Sequence, residues 1–75
     1  MTQEDLGEVT FDVRGNVGFI TLNRPRKINA VTVHMDQQLN GYVNEINNNA
    51  DIRAIVLSGN GEKGFCAGSD LVWEW

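Results

Sequence analysis

An α/β layer is the fold class this sequence predicts, and three observations predict it. Val9-Thr10-Phe11-Asp12-Val13 alternates apolar and polar side chains, the period of a half-buried strand. Met35, Leu39, Tyr42, Val43 and Ile46 recur at the spacing of one face of an α-helix. β-Branched and apolar density returns from Ile52 to Leu57. Strand, helix and strand in that order imply a parallel pair joined by a right-handed crossover.

Each element has local chemistry to begin and end it. Arg14-Gly15-Asn16 supplies turn residues before a second strand, Val17-Gly18-Phe19-Ile20-Thr21-Leu22, which predicts a β-hairpin. Pro25 and its polar loop end that strand, because proline cannot donate to a sheet ladder. Thr32 is a suitable N-cap for the helix, which should run to about Asn47, where three asparagines invite termination. Gly41 inside the helix carries a penalty of roughly 1 kcal/mol relative to alanine and predicts close packing against a neighbour. The stretch from Ser58 to Gly64 is a loop by composition, and Leu71 to Trp75 reads as the first turn of a second helix. Trp73 and Trp75 predict surface that further chain should bury. A hairpin, one helix and one strand can cover only one side of a sheet, so the pattern is that of an incomplete layer.

Composition narrows the function classes. A chain of 75 residues buries only roughly 60–65% of its unfolded surface and is one domain at most. Cys66 is the only cysteine and His34 the only histidine, so neither an intramolecular disulfide nor a thiolate zinc cage is available. Six Lys and Arg against ten Asp and Glu give a net charge of −4, which repels a phosphate backbone and argues against nucleic acid as partner. Met1 to Glu8 is polar and acidic, unlike a signal peptide, and no apolar stretch approaches the about 20 residues of a membrane span. A soluble, cytoplasmic protein without a membrane partner is the expectation.

Two glycine-rich strings compete for attention. Gly59-Asn60-Gly61-Glu62-Lys63-Gly64 has the G-x-G-x-x-G form of a dinucleotide-binding turn. It follows the third strand rather than the first of a βαβ unit, and Gly68 comes too soon for an uninterrupted helix. An ordinary Asn-Gly turn explains it better. The second string, Phe65-Cys66-Ala67-Gly68-Ser69-Asp70-Leu71, sets a Gly-centred turn between a strand and a helical start. It reads structurally as a turn with Asp70 near the positive end of a helix dipole. Functionally, Gly68 lets backbone approach a ligand and the Ser69 amide donates into a pocket. Arg24, Arg26 and Lys27 form the one basic cluster, either a solvated loop or a phosphate contact. His34 falls on the helix face opposite Met35 and Leu39 and reads as a solvated surface residue; Cys66, without a basic neighbour, reads as a small packing residue.

Taken together, Leu22-Asn23-Arg24-Pro25-Arg26-Lys27-Ile28-Asn29-Ala30-Val31, the helix, the third strand and the Phe65–Leu71 turn resemble the crotonase superfamily, the enoyl-CoA hydratase/isomerase fold. The resemblance runs from Val9 to about Leu71, within one partial domain over 1–75 of which 1–8 is a tail. It implies the N-terminal part of a crotonase-like ββα spiral fold: β-hairpin, helix, parallel strand and the start of a second helix, incomplete as a domain. The resemblance further implies an acyl-CoA or enoyl-CoA thioester as substrate, with coenzyme A part of that substrate and no separate cofactor or metal. Ser69 then supplies one of the family's two main-chain oxyanion donors; its side chain departs from the alanine often found there, but the donor is backbone. Lys27, Ala30, Ala67, Gly68, Asp70 and Leu71 match positions that cradle coenzyme A.

In the family's hydratases the second donor and two catalytic glutamates come from segments beyond this motif. Neither Glu62 nor Glu74 matches them, so the resemblance implies that these 75 residues do not catalyse alone. It also implies a homotrimeric or hexameric parent. Two readings of other classes stay open: a non-catalytic acyl-CoA-binding or interaction module, and a dinucleotide-binding oxidoreductase fragment. Acyl-chain length and the choice between hydratase and isomerase are not encoded in these residues.

Overall fold

The computed structural model describes residues 6–66 and residue 68. Strands β1 (Glu8–Arg14) and β2 (Val17–Asn23) form the hairpin, a single 3₁₀ turn spans Pro25–Lys27, helix α1 covers Val33–Asn47, and β3 (Ala54–Gly59) completes the sheet. The strand order is β1-β2-β3, with β1 antiparallel and β3 parallel to the central β2. The expected α/β arrangement is therefore present, while the expectations for Leu71 to Trp75, including both tryptophans, lie outside the described residues.

The hairpin closes where turn chemistry placed it. Gly15 has φ +60 at the first central position of a two-residue loop, and Arg14 pairs with Val17 across it. Alternation then sorts the side chains, since successive residues of a strand face opposite sides. Val9 and Leu22 are register partners, Ile20 is two residues before Leu22, and all three are at most 3% exposed. Met35 from α1 closes this core at 0% exposed. Phe11 and Tyr42 extend it, with ring centroids 5.3 Å apart at 32°.

Thr32 caps α1 as its residue type suggests. Its Oγ1 accepts from the Met35 N–H at 3.1 Å and donates to the Leu6 carbonyl at 2.6 Å, so one hydroxyl both starts the helix and holds the preceding chain. Gln38 Oε1 accepts from the Val9 N–H at 2.8 Å and ties the helix to β1, its main neighbour. At the other end, Asn48 Nδ2 donates to the Asn44 carbonyl and Asn49 Oδ1 accepts from the Asp51 N–H. These local bonds compete with further helix and end it at Asn47.

Three expectations change. The third strand occupies Ala54–Gly59 rather than Ile52–Leu57. The cause is the hairpin tip: the Asn16 carbonyl takes the Arg53 N–H at 2.8 Å and Asn16 Nδ2 donates to the Asp51 carbonyl, so parallel pairing begins only at Val17 with Ala54. Val43 lies outside the core at 43% exposed, because α1 covers β1 and not the β3 side of the sheet. Ile55 and Leu57, on the face of Ile20, are 42% and 51% exposed for the same reason, and Val56 on the opposite face is 45% exposed. Gly41, expected in close packing, is exposed, and a Cβ built on it meets nothing within 4 Å.

With no contact to explain it, Gly41 acts on stability through backbone entropy alone. Gly41→Ala is predicted to stabilise the chain by about 0.5–1 kcal/mol. A urea midpoint that rises with an unchanged slope is the expected reading; a fall would show that this helix face is packed.

Candidate functional site

Because β2 and β3 are parallel, their C-terminal ends open onto the same edge of the sheet, and the loops that leave them must meet there. The first, residues 24–32, turns immediately: Lys27 N–H bonds to the Arg24 carbonyl, Ile28 N–H to Pro25, Asn29 N–H to Arg24 and Ala30 N–H to Lys27, at 2.9–3.1 Å. This tight winding puts Ile28 at φ 51 and Asn29 at φ 56. Asparagine tolerates the left-handed region, whereas a β-branched isoleucine does so only under strain of order 1–3 kcal/mol.

Arg24 is not part of an exposed basic cluster. It is 4% exposed, its N–H donates to Asn29 Oδ1 at 2.8 Å, and its Nη1 donates to the Ala30 carbonyl at 3.1 Å. The guanidinium, between strand end and turn, satisfies the Ala30 carbonyl, which has no ladder partner there. Arg26 and Lys27 stay on the exposed side of the 3₁₀ turn.

The second loop follows β3. Asn60 N–H bonds to the Leu22 carbonyl, Asn60 Nδ2 donates to Asn23 Oδ1, and Asn60 Oδ1 accepts from the Gly61 N–H at 3.0 Å. No helix begins between residues 60 and 66. The G-x-G-x-x-G string therefore lacks the helix N-terminus that receives a pyrophosphate, and is an Asn-Gly turn. Between this loop and the first lies a cleft of about 270 Å³ with Pro25 and Ile28 on one wall and Asn60 to Gly64 on the other.

Asn29, which the sequence reading did not single out as a site residue, joins the loops. It is 0% exposed, and its Nδ2 donates to the Asn60 carbonyl at 2.8 Å and the Phe65 carbonyl at 2.9 Å. Its own carbonyl accepts from Cys66 Sγ at 3.3 Å. Cys66 is half-buried against the core, a packing residue as expected, and its sulfur also accepts the Gly68 N–H at 3.4 Å. The Gly68 carbonyl takes the Val31 N–H at 2.7 Å.

Of the residues matched to coenzyme A and oxyanion positions, Lys27, Ala30 and Gly68 are described and Ala67, Ser69, Asp70 and Leu71 lie outside the described residues. The described three are brought together: Lys27 and Ala30 on the first loop, Gly68 bonded to Val31 beside them. Gly68 has φ +98 and no atom within 4 Å of a built Cβ, so what requires glycine there is conformation, not crowding. His34, expected on the solvated surface, is half-buried, and its Nε2 is shut from solvent without a hydrogen-bond partner among the described residues. A side chain in the first helical turn leans back over the preceding chain. Among the described residues no group of three His, Cys, Asp or Glu could hold a metal, and no helix is long and apolar enough to cross a membrane.

Gly59 is the residue at which the second loop is most sensitive. A Cβ there would overlap the Phe65 carbonyl oxygen and stand 2.7 Å from Asn29 Nδ2. Gly59→Ala is predicted to destabilise the chain by about 1–3 kcal/mol, as overpacking does, with the loss read from urea melts. An unchanged midpoint would contradict the close approach of these loops.

Comparison with known proteins agrees with this geometry. The sequence profile of the enoyl-CoA hydratase/isomerase family matches residues 17–74. The short-chain-enoyl-CoA hydratase of Clostridium acetobutylicum is 34% identical over 67 residues, covering 89% of this chain and 26% of that protein. The human mitochondrial 3-hydroxyisobutyryl-CoA hydrolase is 38% identical over 64 residues, covering 85% of this chain and 17% of its own length. A carnitinyl-CoA dehydratase structure from Mycobacterium avium superposes with a TM-score of 0.79 at 41% identity, covering 85% of this chain and 25% of that one. The chain thus spans about a quarter or less of each of these proteins. With the family profile matched over residues 17–74, relatives at 34% and 38% identity and a superposition at a TM-score of 0.79, the chain belongs to the enoyl-CoA hydratase/isomerase family.

Proposed function

We propose that these residues form the front half of an acyl-CoA thioester site. In this reading the main-chain N–H of Ser69 donates to the thioester oxygen, while Lys27, Ala30, Ala67, Gly68, Asp70 and Leu71 hold the coenzyme A portion. The observation that carries it is the 2.7 Å bond from Val31 N–H to the Gly68 carbonyl, which sets the Gly turn beside the Lys27–Ala30 loop. Two segments 37 residues apart in sequence, by the separation of Asn29 and Cys66, thereby lie side by side, which supports their serving one ligand.

The chemistry follows from where charge develops. Removing a proton beside a thioester carbonyl, or adding a nucleophile to a conjugated one, moves negative charge onto the carbonyl oxygen. A preorganised backbone donor at that oxygen is worth about 2.7–4 kcal/mol in the transition state. The relatives named above are a hydratase, a hydrolase and a dehydratase, yet each name contains a coenzyme A thioester. A segment common to them supports recognition of the shared thioester rather than of any one reaction.

Within these 75 residues one donor is matched and no general base is. Positioned proton transfer contributes typically 10²–10⁴-fold, so the segment alone binds the thioester without appreciable turnover. Such binding, as a module without catalysis, is the functional state we assign to the segment by itself.

Thermal melting of the purified chain followed by far-UV circular dichroism tests the proposal. A cooperative transition should rise with crotonyl-CoA, by about 2.7 kcal/mol of stability at a hundredfold excess over Kd. NAD should leave it unchanged. A melt indifferent to crotonyl-CoA, or raised equally by NAD, would contradict the reading.

A further inference from the structure

We propose that Asn29 is a positioning residue for the thioester site: its side chain holds the 60–66 loop against the 24–31 loop and so sets where Gly68 stands. This rests on the thioester reading above. The argument is one of geometry. A single buried amide nitrogen, Asn29 Nδ2, lies 2.8 Å from the Asn60 carbonyl and 2.9 Å from the Phe65 carbonyl. Both ends of the second loop are thereby clamped to one rigid planar group. The oxygen of the same amide receives the Arg24 N–H at 2.8 Å, which anchors the clamp to the end of β2.

The Cys66 thiol and one main-chain bond then carry the position to Gly68. The Asn29 carbonyl accepts from Cys66 Sγ, that sulfur accepts the Gly68 N–H, and Val31, two residues beyond Asn29, donates to the Gly68 carbonyl. Among the described residues, Gly68 is thus tied to Asn29 through the Cys66 thiol and to Val31 two residues beyond it. Stabilisation by an oxyanion donor depends on its placement, and a misplacement of about 1 Å can lower a rate on the order of 10²-fold. Asn29 need not touch the thioester to control how strongly the carbonyl is polarised.

The φ of 56 at Asn29 allows the side chain to be tested apart from the backbone. Glycine adopts this conformation without strain, so Asn29→Gly removes the side-chain bonds and keeps the winding. Asn29→Asp keeps the size and the oxygen that accepts from Arg24, but replaces the nitrogen donor facing two carbonyls. The readout is the infrared carbonyl stretch of carbonyl-¹³C crotonyl-CoA bound at saturation, a signature that general destabilisation does not move.

The wild-type chain should displace the band to lower wavenumber. Both variants, shown folded by their melts, should return it to the position of free ligand. A displaced band retained in both variants would overturn this inference and leave the thioester reading standing. Failure of both variants to fold would also overturn it, because Asn29 would then act on the whole fold. An undisplaced band in the wild type would defeat the thioester reading and this inference together.

Discussion

The buried amide of Asn29 is the interaction on which the site end of this structure depends. Three backbone segments that leave β2, leave β3 and enter the Gly68 turn have no sheet ladder to hold them, and each presents polar groups that must be satisfied. One side chain answers three of these needs within 2.9 Å and is itself fully buried. Removing it would leave buried donors and acceptors unmade, at about 1–3 kcal/mol each. The left-handed winding at Ile28 and Asn29 is the geometric condition for this arrangement, since it turns the Asn29 side chain back toward the strand ends.

The sheet and the site divide the work. Val9, Ile20, Leu22 and Met35 hold β1, β2 and α1 together, and the Thr32 hydroxyl secures the helix start. None of the four core residues belongs to the loops that meet at the C-terminal edge, while Thr32 ends the first of those loops. The parallel register of β3 links the two regions, because Asn16 fixes its beginning and Gly59 its end. A shift of that register would move Asn60 and Phe65 away from the Asn29 amide. The apolar residues of β3 remain half-exposed on both faces even so, which marks β3 as the uncovered edge of the sheet among the described residues.

Much of this was legible in the sequence because it rests on local rules. Turn residues at Gly15 and Asn16, the cap at Thr32 and the asparagines after Ile46 act within a few residues of themselves, and the structure places the hairpin and helix accordingly. The β3 boundary depends on a bond between Asn16 and Arg53, which no local pattern contains. Arg24 looked like one of three basic loop residues and proved buried, because its partner carbonyl at Ala30 exists only once the loop winds left-handed. Asn29 carried one signal, an asparagine at a loop bend, too common to single it out. Gly41 shows the opposite error, where a glycine in a helix suggested a contact that the sheet does not provide.

The central claim is that the amide following Gly68 meets the thioester, and the most direct test is to observe that amide. In ¹⁵N-labelled chain the Ser69 N–H resonance should move on titration with crotonyl-CoA and much less with free coenzyme A, which lacks the acyl oxygen. A Ser69 resonance unmoved by crotonyl-CoA while Lys27 and Ala30 respond would contradict the account, leaving a surface that holds coenzyme A without engaging the thioester.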